Sequence, residues 1–128
     1  VGRLASGSDA LIGRLFCFAP WFGGKWMIRH IVALRFQDGC AQSVRDAIFA
    51  DLTALRDQIG GILAFDFGPN VSVEPLSRGF DDVFCFDFQD AAARDAYLIH
   101  PAHQAVGARI VDATGGIEGV FVFDLALP

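Results

Sequence analysis

Cysteine is scarce in this 128-residue chain: Cys17, Cys40 and Cys85 are odd in number, widely spaced and free of any Cys-x-x-Cys pair. That argues against both a disulfide framework and a thiolate zinc site, so the expected setting is reducing and cytoplasmic. Basic charge is equally thin, with 10 Lys and Arg against 15 Asp and Glu, a net charge of −5 and a pI near 4.9. Neutralising a phosphate backbone needs clustered Lys and Arg, and here the arginines are scattered, so no nucleic-acid partner is expected. No run stays apolar for the roughly 18 residues of a spanning helix, so no membrane partner is expected either. The glycine pairs Gly60-Gly61 and Gly115-Gly116 lack a following Lys-Ser or Lys-Thr and read as punctuation between elements rather than a phosphate cradle.

Core material, by contrast, is plentiful. The chain is 53% hydrophobic and holds 13 phenylalanines, which suits one domain and leaves no room for a second. Residues 1–26 differ from the rest. They carry Arg3, Arg14 and Lys25 against Asp9 alone, a net of +2 that leaves −7 for residues 27–128 of a chain at −5. Arg14 and Pro20 interrupt the apolar run that a signal peptide needs. Residues 1–26 are read as an extension, disordered or loosely docked, with Trp21, Phe22 and Trp26 as the docking candidates, and residues 27–128 as the domain.

Within that domain the pattern runs strand, helix, strand, strand, helix, strand. MIRHIVALRF (27–36) is rich in β-branched and aromatic residues, with Ile28, His30, Val32, Leu34 and Phe36 on one parity. Residues 43–59 place Val44, Ile48, Leu52, Leu55 and Ile59 on one helical stripe, from a Ser43 cap to a stop at Gly60-Gly61. Residues 62–68 and 79–88 read as strands separated by a turn-rich segment. A second helix starts at an Asp90 cap, and His100-Pro101 should end it and open another segment, because the residue before a proline is pushed out of the α region. Residues 116–125 form the last strand. The βαββαβ order predicts an α+β, ferredoxin-like fold: a four-stranded antiparallel sheet with the helices on one face.

Both parities of the last two strands are apolar: Ile117, Phe121 and Phe123 against Val120 and Val122, and Phe84, Phe86 and Phe88 against Val83 and Cys85. A half-solvated sheet should alternate apolar with polar, and helices on one side leave the other face bare. A second copy of the same sheet is the simplest cover, so a homodimer is expected.

HIVALRF, FDFGPNVS and YLIHPAHQAV resemble the stress-responsive A/B-barrel (Dabb) family of dimeric α/β-barrel proteins, over roughly residues 27–125. The resemblance implies a homodimer whose sheets close into an α/β barrel, with a cavity between helices and sheet in each subunit. Within the family a plant polyketide cyclase uses the Tyr and a His of the same Tyr-x-x-His-Pro-Ala-His element, which fall here on Tyr97 and His103; its strand-one histidine matches His30, the other histidine of the element His100, and a carboxylate near the chain end Asp124. Haem-degrading relatives of the superfold are disfavoured, since their site uses a tryptophan and none follows Trp26.

Apart from the likeness, these residues carry chemistry of their own. Strand one neighbours strand four in this topology, so His30 and Asp124 should share one end of a cavity. His103, in a first helical turn, sits in the positive field of the helix terminus, which favours the neutral base; a nearby Asp124 would fix its tautomer. Tyr97 can donate to a developing enolate. Val32 shares the parity of His30 and is a ligand contact with His100. These groups suit proton abstraction beside a carbonyl in a small, largely apolar or phenolic, polyketide-like ligand, of the cyclase or lyase kind. Bland readings stand beside each: a core His30, a helix-capping His100, a surface Tyr97, a solvated Asp124. His30, His100, His103 and Asp124 are also acceptable zinc or nickel ligands, but the spacing of His100 and His103 serves only if the Pro101 bend cooperates, so neither metal nor cofactor is expected. The alternative function is a non-enzymatic, stress-related structural dimer. An open cavity beside His103, rather than one filled by phenylalanines, separates the two.

Overall fold

The computed structural model describes residues 26–128, so the reading of residues 1–26 as an extension lies outside the described residues except at Trp26, which is half-buried. Strand β1 (Met27–Leu34) is followed by helix α1 (Gln42–Gln58), strands β2 (Ile62–Pro69) and β3 (Asp82–Phe88), helices α2 (Ala91–Leu98) and α3 (Pro101–Ala113), a 3-10 turn at Ile117–Gly119 and strand β4 (Val120–Leu127). The sheet order is β2-β3-β1-β4, with every neighbouring pair antiparallel. This is the ferredoxin-like arrangement, with its second helical segment split at Pro101.

Period-two burial sets the layers. Along β1, Ile28, His30, Val32 and Leu34 are buried while the residues between them are half-buried, and Phe84, Phe86 and Phe88 of β3 lie on the same side. These pack against Ile48, Phe49, Leu52 and Leu55 of α1, Tyr97 of α2, and Val106 and Ile110 of α3. Val44 was expected on the α1 stripe but is 43% exposed, and Phe49 takes its place, stacked on Phe67 at 4.7 Å.

Local chemistry explains the boundaries. Asp90 caps α2 by accepting from the Ala93 N–H at 2.9 Å. Ser43 does not cap α1, which begins one residue earlier behind Ala41 with no side-chain cap. Gly61 holds a positive φ of 85°, and a Cβ there would meet the Ala93 Cβ at 2.6 Å, so only glycine lets the chain pass the first turn of α2. β3 starts at Asp82 rather than at Gly79, because Arg78 and Gly79 take positive φ in a turn. The Gly116 turn and the 3-10 turn likewise delay β4, which then runs to Leu127.

Among the described residues, no helix or second sheet covers the face of the sheet away from the helices. Phe121, Phe123 and Leu125 are 54%, 45% and 50% exposed there. Ile31, Ala33, Val83, Phe80, Phe121 and Phe123 line a cleft of about 340 Å³.

Candidate functional site

Between the sheet and helices α2 and α3 lies a cavity of about 210 Å³, lined by His30, Val32, Tyr97 and His103 among apolar side chains that include Leu52, Phe84 and Ile110. Each polar group arrives on a different element. His30 points inward because it shares the buried parity of β1. Tyr97 is on the last turn of α2, and His103 is the third residue of α3.

The break between the two helices places His103. His100 is extended (φ −69°, ψ 133°) before Pro101, which takes the first helical position of α3. The turn brings the His103 imidazole over the Tyr97 ring, with centroids 4.2 Å apart. Its Nδ1 lies 3.1 Å from the Leu98 carbonyl, one of the acceptors left open where α2 ends. A carbonyl can only accept, so Nδ1 carries the proton, and in the neutral ring Nε2 keeps the lone pair. Burial lowers the His103 pKa; the Leu98 hydrogen bond opposes this, and His30 and His100 add to the lowering. The direction matches the sequence-based expectation, but desolvation leads, where the field of the helix terminus had been the argument.

Tyr97 is 1% exposed and packs on Phe86 and Phe88 at 5.1 and 4.9 Å. Burial pushes its phenol well above the usual range, so the hydroxyl stays protonated. Its hydroxyl has no hydrogen-bond partner among the described residues, where Arg45 Nε is the fully enclosed side-chain polar atom without one. Tyr97 is among the residues that line the cavity.

Asp124 stands directly across from His30 in the β1-β4 ladder. The His30 Nδ1–H donates to Asp124 Oδ1 at 2.7 Å, while Arg94 Nη1 donates to Oδ2 at 2.6 Å. Asp124 thus orients His30, and the tautomer of His103 is set by Leu98 instead of by this carboxylate. The His30 ring lies 5.8 Å from Tyr97, so His30, Tyr97 and His103 form one row. His100 stands apart: its Nδ1 accepts from the Ala102 N–H at 3.1 Å and caps α3, and it does not line the cavity. Among the described residues no three His, Cys, Asp or Glu side chains gather as a metal site, and no helix is long and apolar enough to cross a membrane. Sequence reasoning missed Arg94. Its signal was positional, a charge three residues before Tyr97 on the same helix.

Residues 28–126 match the family described as the stress responsive A/B barrel domain. The chain belongs to this family. A stress-response A/B barrel domain-containing protein, HS1, of Arabidopsis thaliana is 27% identical over 100 residues, spanning 78% of this chain and 89% of that protein. Among solved structures, a dimeric ferredoxin-like protein of unknown function from Jannaschia sp. CCS1 is 34% identical with a TM-score of 0.72, covering 77% of this chain and 97% of that one. A hydroxynitrile lyase from Passiflora edulis shares the fold at 21% identity and a TM-score of 0.71, covering 80% of this A/B barrel chain and 92% of the lyase.

Proposed function

We propose that this A/B barrel protein binds a small, largely apolar or phenolic molecule in the cavity beside His103 and moves a proton on it, in the manner of a polyketide cyclase or lyase. His103 Nε2 is the general base, the Tyr97 hydroxyl stabilises developing negative charge on a ligand oxygen, and His30, oriented by Asp124, is a second acceptor. Val32 shapes the apolar wall. The reaction so written needs no metal or cofactor. The observation that carries the reading is that an imidazole tied by Nδ1 to Leu98 stands over a partnerless phenol in a cavity whose remaining lining, His30 aside, is apolar.

The working unit in this proposal is a homodimer formed through the bare sheet face. The exposed row of Phe121, Phe123 and Leu125 supports it, as does the dimeric description of the Jannaschia relative. The purely structural alternative fits a filled core better than a cavity of about 210 Å³ open beside His103.

Phenol serves as a probe of the cavity. Titrated into labelled protein, it should shift the NMR signals of Val32, Leu52 and Ile110. His103→Ala should abolish the response while leaving the melting temperature nearly unchanged, and Tyr97→Phe should weaken it. An unchanged response in His103→Ala, or no response in the native protein, overturns the reading.

A further inference from the structure

Arg94 lies outside the cavity, yet it completes a chain of contacts that ends there. Its Nε donates to Asp95 Oδ1 at 2.8 Å and its Nη1 to Asp124 Oδ2 at 2.6 Å. The other Asp124 oxygen takes the His30 Nδ1–H at 2.7 Å. Side-chain exposure is similar at Arg94 (24%) and Asp124 (27%) and drops to 6% at His30. The His30 Nε2 has no hydrogen-bond partner among the described residues and belongs to a ring lining the cavity.

We infer that Arg94 is a positioning residue for His30: by pinning one oxygen of Asp124 it aims the other at Nδ1, and so fixes the tautomer that presents a bare Nε2 to the ligand. The inference rests on the proposed use of the cavity and adds a role that neither Tyr97 nor His103 supplies. A carboxylate held at one oxygen only can rotate about its last torsion and let the imidazole choose either tautomer. Arg94 removes that freedom, and its own geometry is fixed in turn by Asp95. Burial opposes the charge on Arg94, but hydrogen bonds to Asp95 and Asp124 more than offset it, so the guanidinium stays a cation beside the carboxylate. Helix α2 therefore serves the cavity twice, through Tyr97 inside it and through Arg94 one turn earlier.

The test reads the tautomer of His30 directly, from the ¹⁵N shifts of its two ring nitrogens at a pH where the ring is neutral. The native protein should show one tautomer, protonated at Nδ1. Arg94→Gln should give a mixture, with the two shifts drawn toward each other, and Arg94→Lys, which keeps a cation near Asp124, should restore most of the native pattern. A purely structural Arg94 would lower the melting temperature and leave the tautomer alone; a single Nδ1–H form in Arg94→Gln overturns the inference. Should Arg94→Gln not fold, Asp95→Asn, a change at a side chain that is 67% exposed, provides a milder variant that must move the shifts in the same direction. The phenol titration of native protein separates the two claims: its failure sinks the proposed function while the tautomer result judges Arg94 by itself.

Discussion

The two faces of the sheet use the same strands for different ends. On the helix side, β1 and β3 bury Val32, Leu34, Phe84, Phe86 and Phe88, and the polar exceptions in the cavity are few and mutually arranged. On the other side, Ile31, Ala33, Val83, Phe121 and Phe123 form an apolar surface that no helix covers among the described residues, crossed by an ion pair in which Arg29 Nε and Nη2 meet Asp87 at 2.9 and 3.1 Å. The helix face is closed against its own chain and keeps a hole. The other face keeps large apolar side chains exposed among the described residues. A residue's parity on its strand therefore decides whether a substitution strikes the folding of the chain and its cavity or the face proposed for dimerisation.

The sharpest contrast comes from phenylalanines of opposite parity. Phe86 is fully buried among Phe65, Phe84, Phe88 and Tyr97. Phe86→Ala should cost about 3–5 kcal/mol, read by chemical denaturation, and a loss under about 1 kcal/mol would mean the core is not packed as described. Phe123→Asp, on the bare face, should leave each chain folded but turn the assembly into monomers in sedimentation at micromolar concentration, since a charge is placed where an interface of roughly 1,600 Å² or more would desolvate it. Native protein that sediments as a monomer would break the comparison from the other side.

A smaller effect follows from His103. Burial holds its folded pKa below the roughly 6.5 of an unfolded histidine. The unfolded chain then takes up a proton more readily, so this contribution to stability is complete above about pH 6.5 and is lost as the pH falls through the lower folded value. Melting temperatures of native protein should drop more steeply below pH 6.5 than those of His103→Gln, and parallel curves would contradict the assignment.

Much of this was legible in the sequence, for identifiable reasons. The two-residue period of β1 and the Phe-x-Phe-x-Phe run of β3 fixed which side chains enter the core, because parity admits only two choices. Asp90 and His100-Pro101 marked helix ends through local capping and steric rules that need no tertiary context. The meeting of His30 and Asp124 followed from topology alone. What was not legible depended on side-chain direction at a bend. The sequence shows that Pro101 breaks the helix, but not that the break swings His103 onto the Leu98 carbonyl and leaves His100 capping α3. The gathering of His30, Tyr97 and His103 could therefore be anticipated before the tautomers of the histidines could be assigned, and Arg94 stayed hidden because its partner lies 30 residues away in sequence.

The central claim is that His103 is a neutral base with Nε2 free for a ligand. Long-range ¹H–¹⁵N correlation of its ring nitrogens across a pH titration tests it most directly. The structure predicts protonation at Nδ1 in the neutral ring and a titration midpoint below about 6.5; a proton on Nε2, or a midpoint at or above that value, would contradict it.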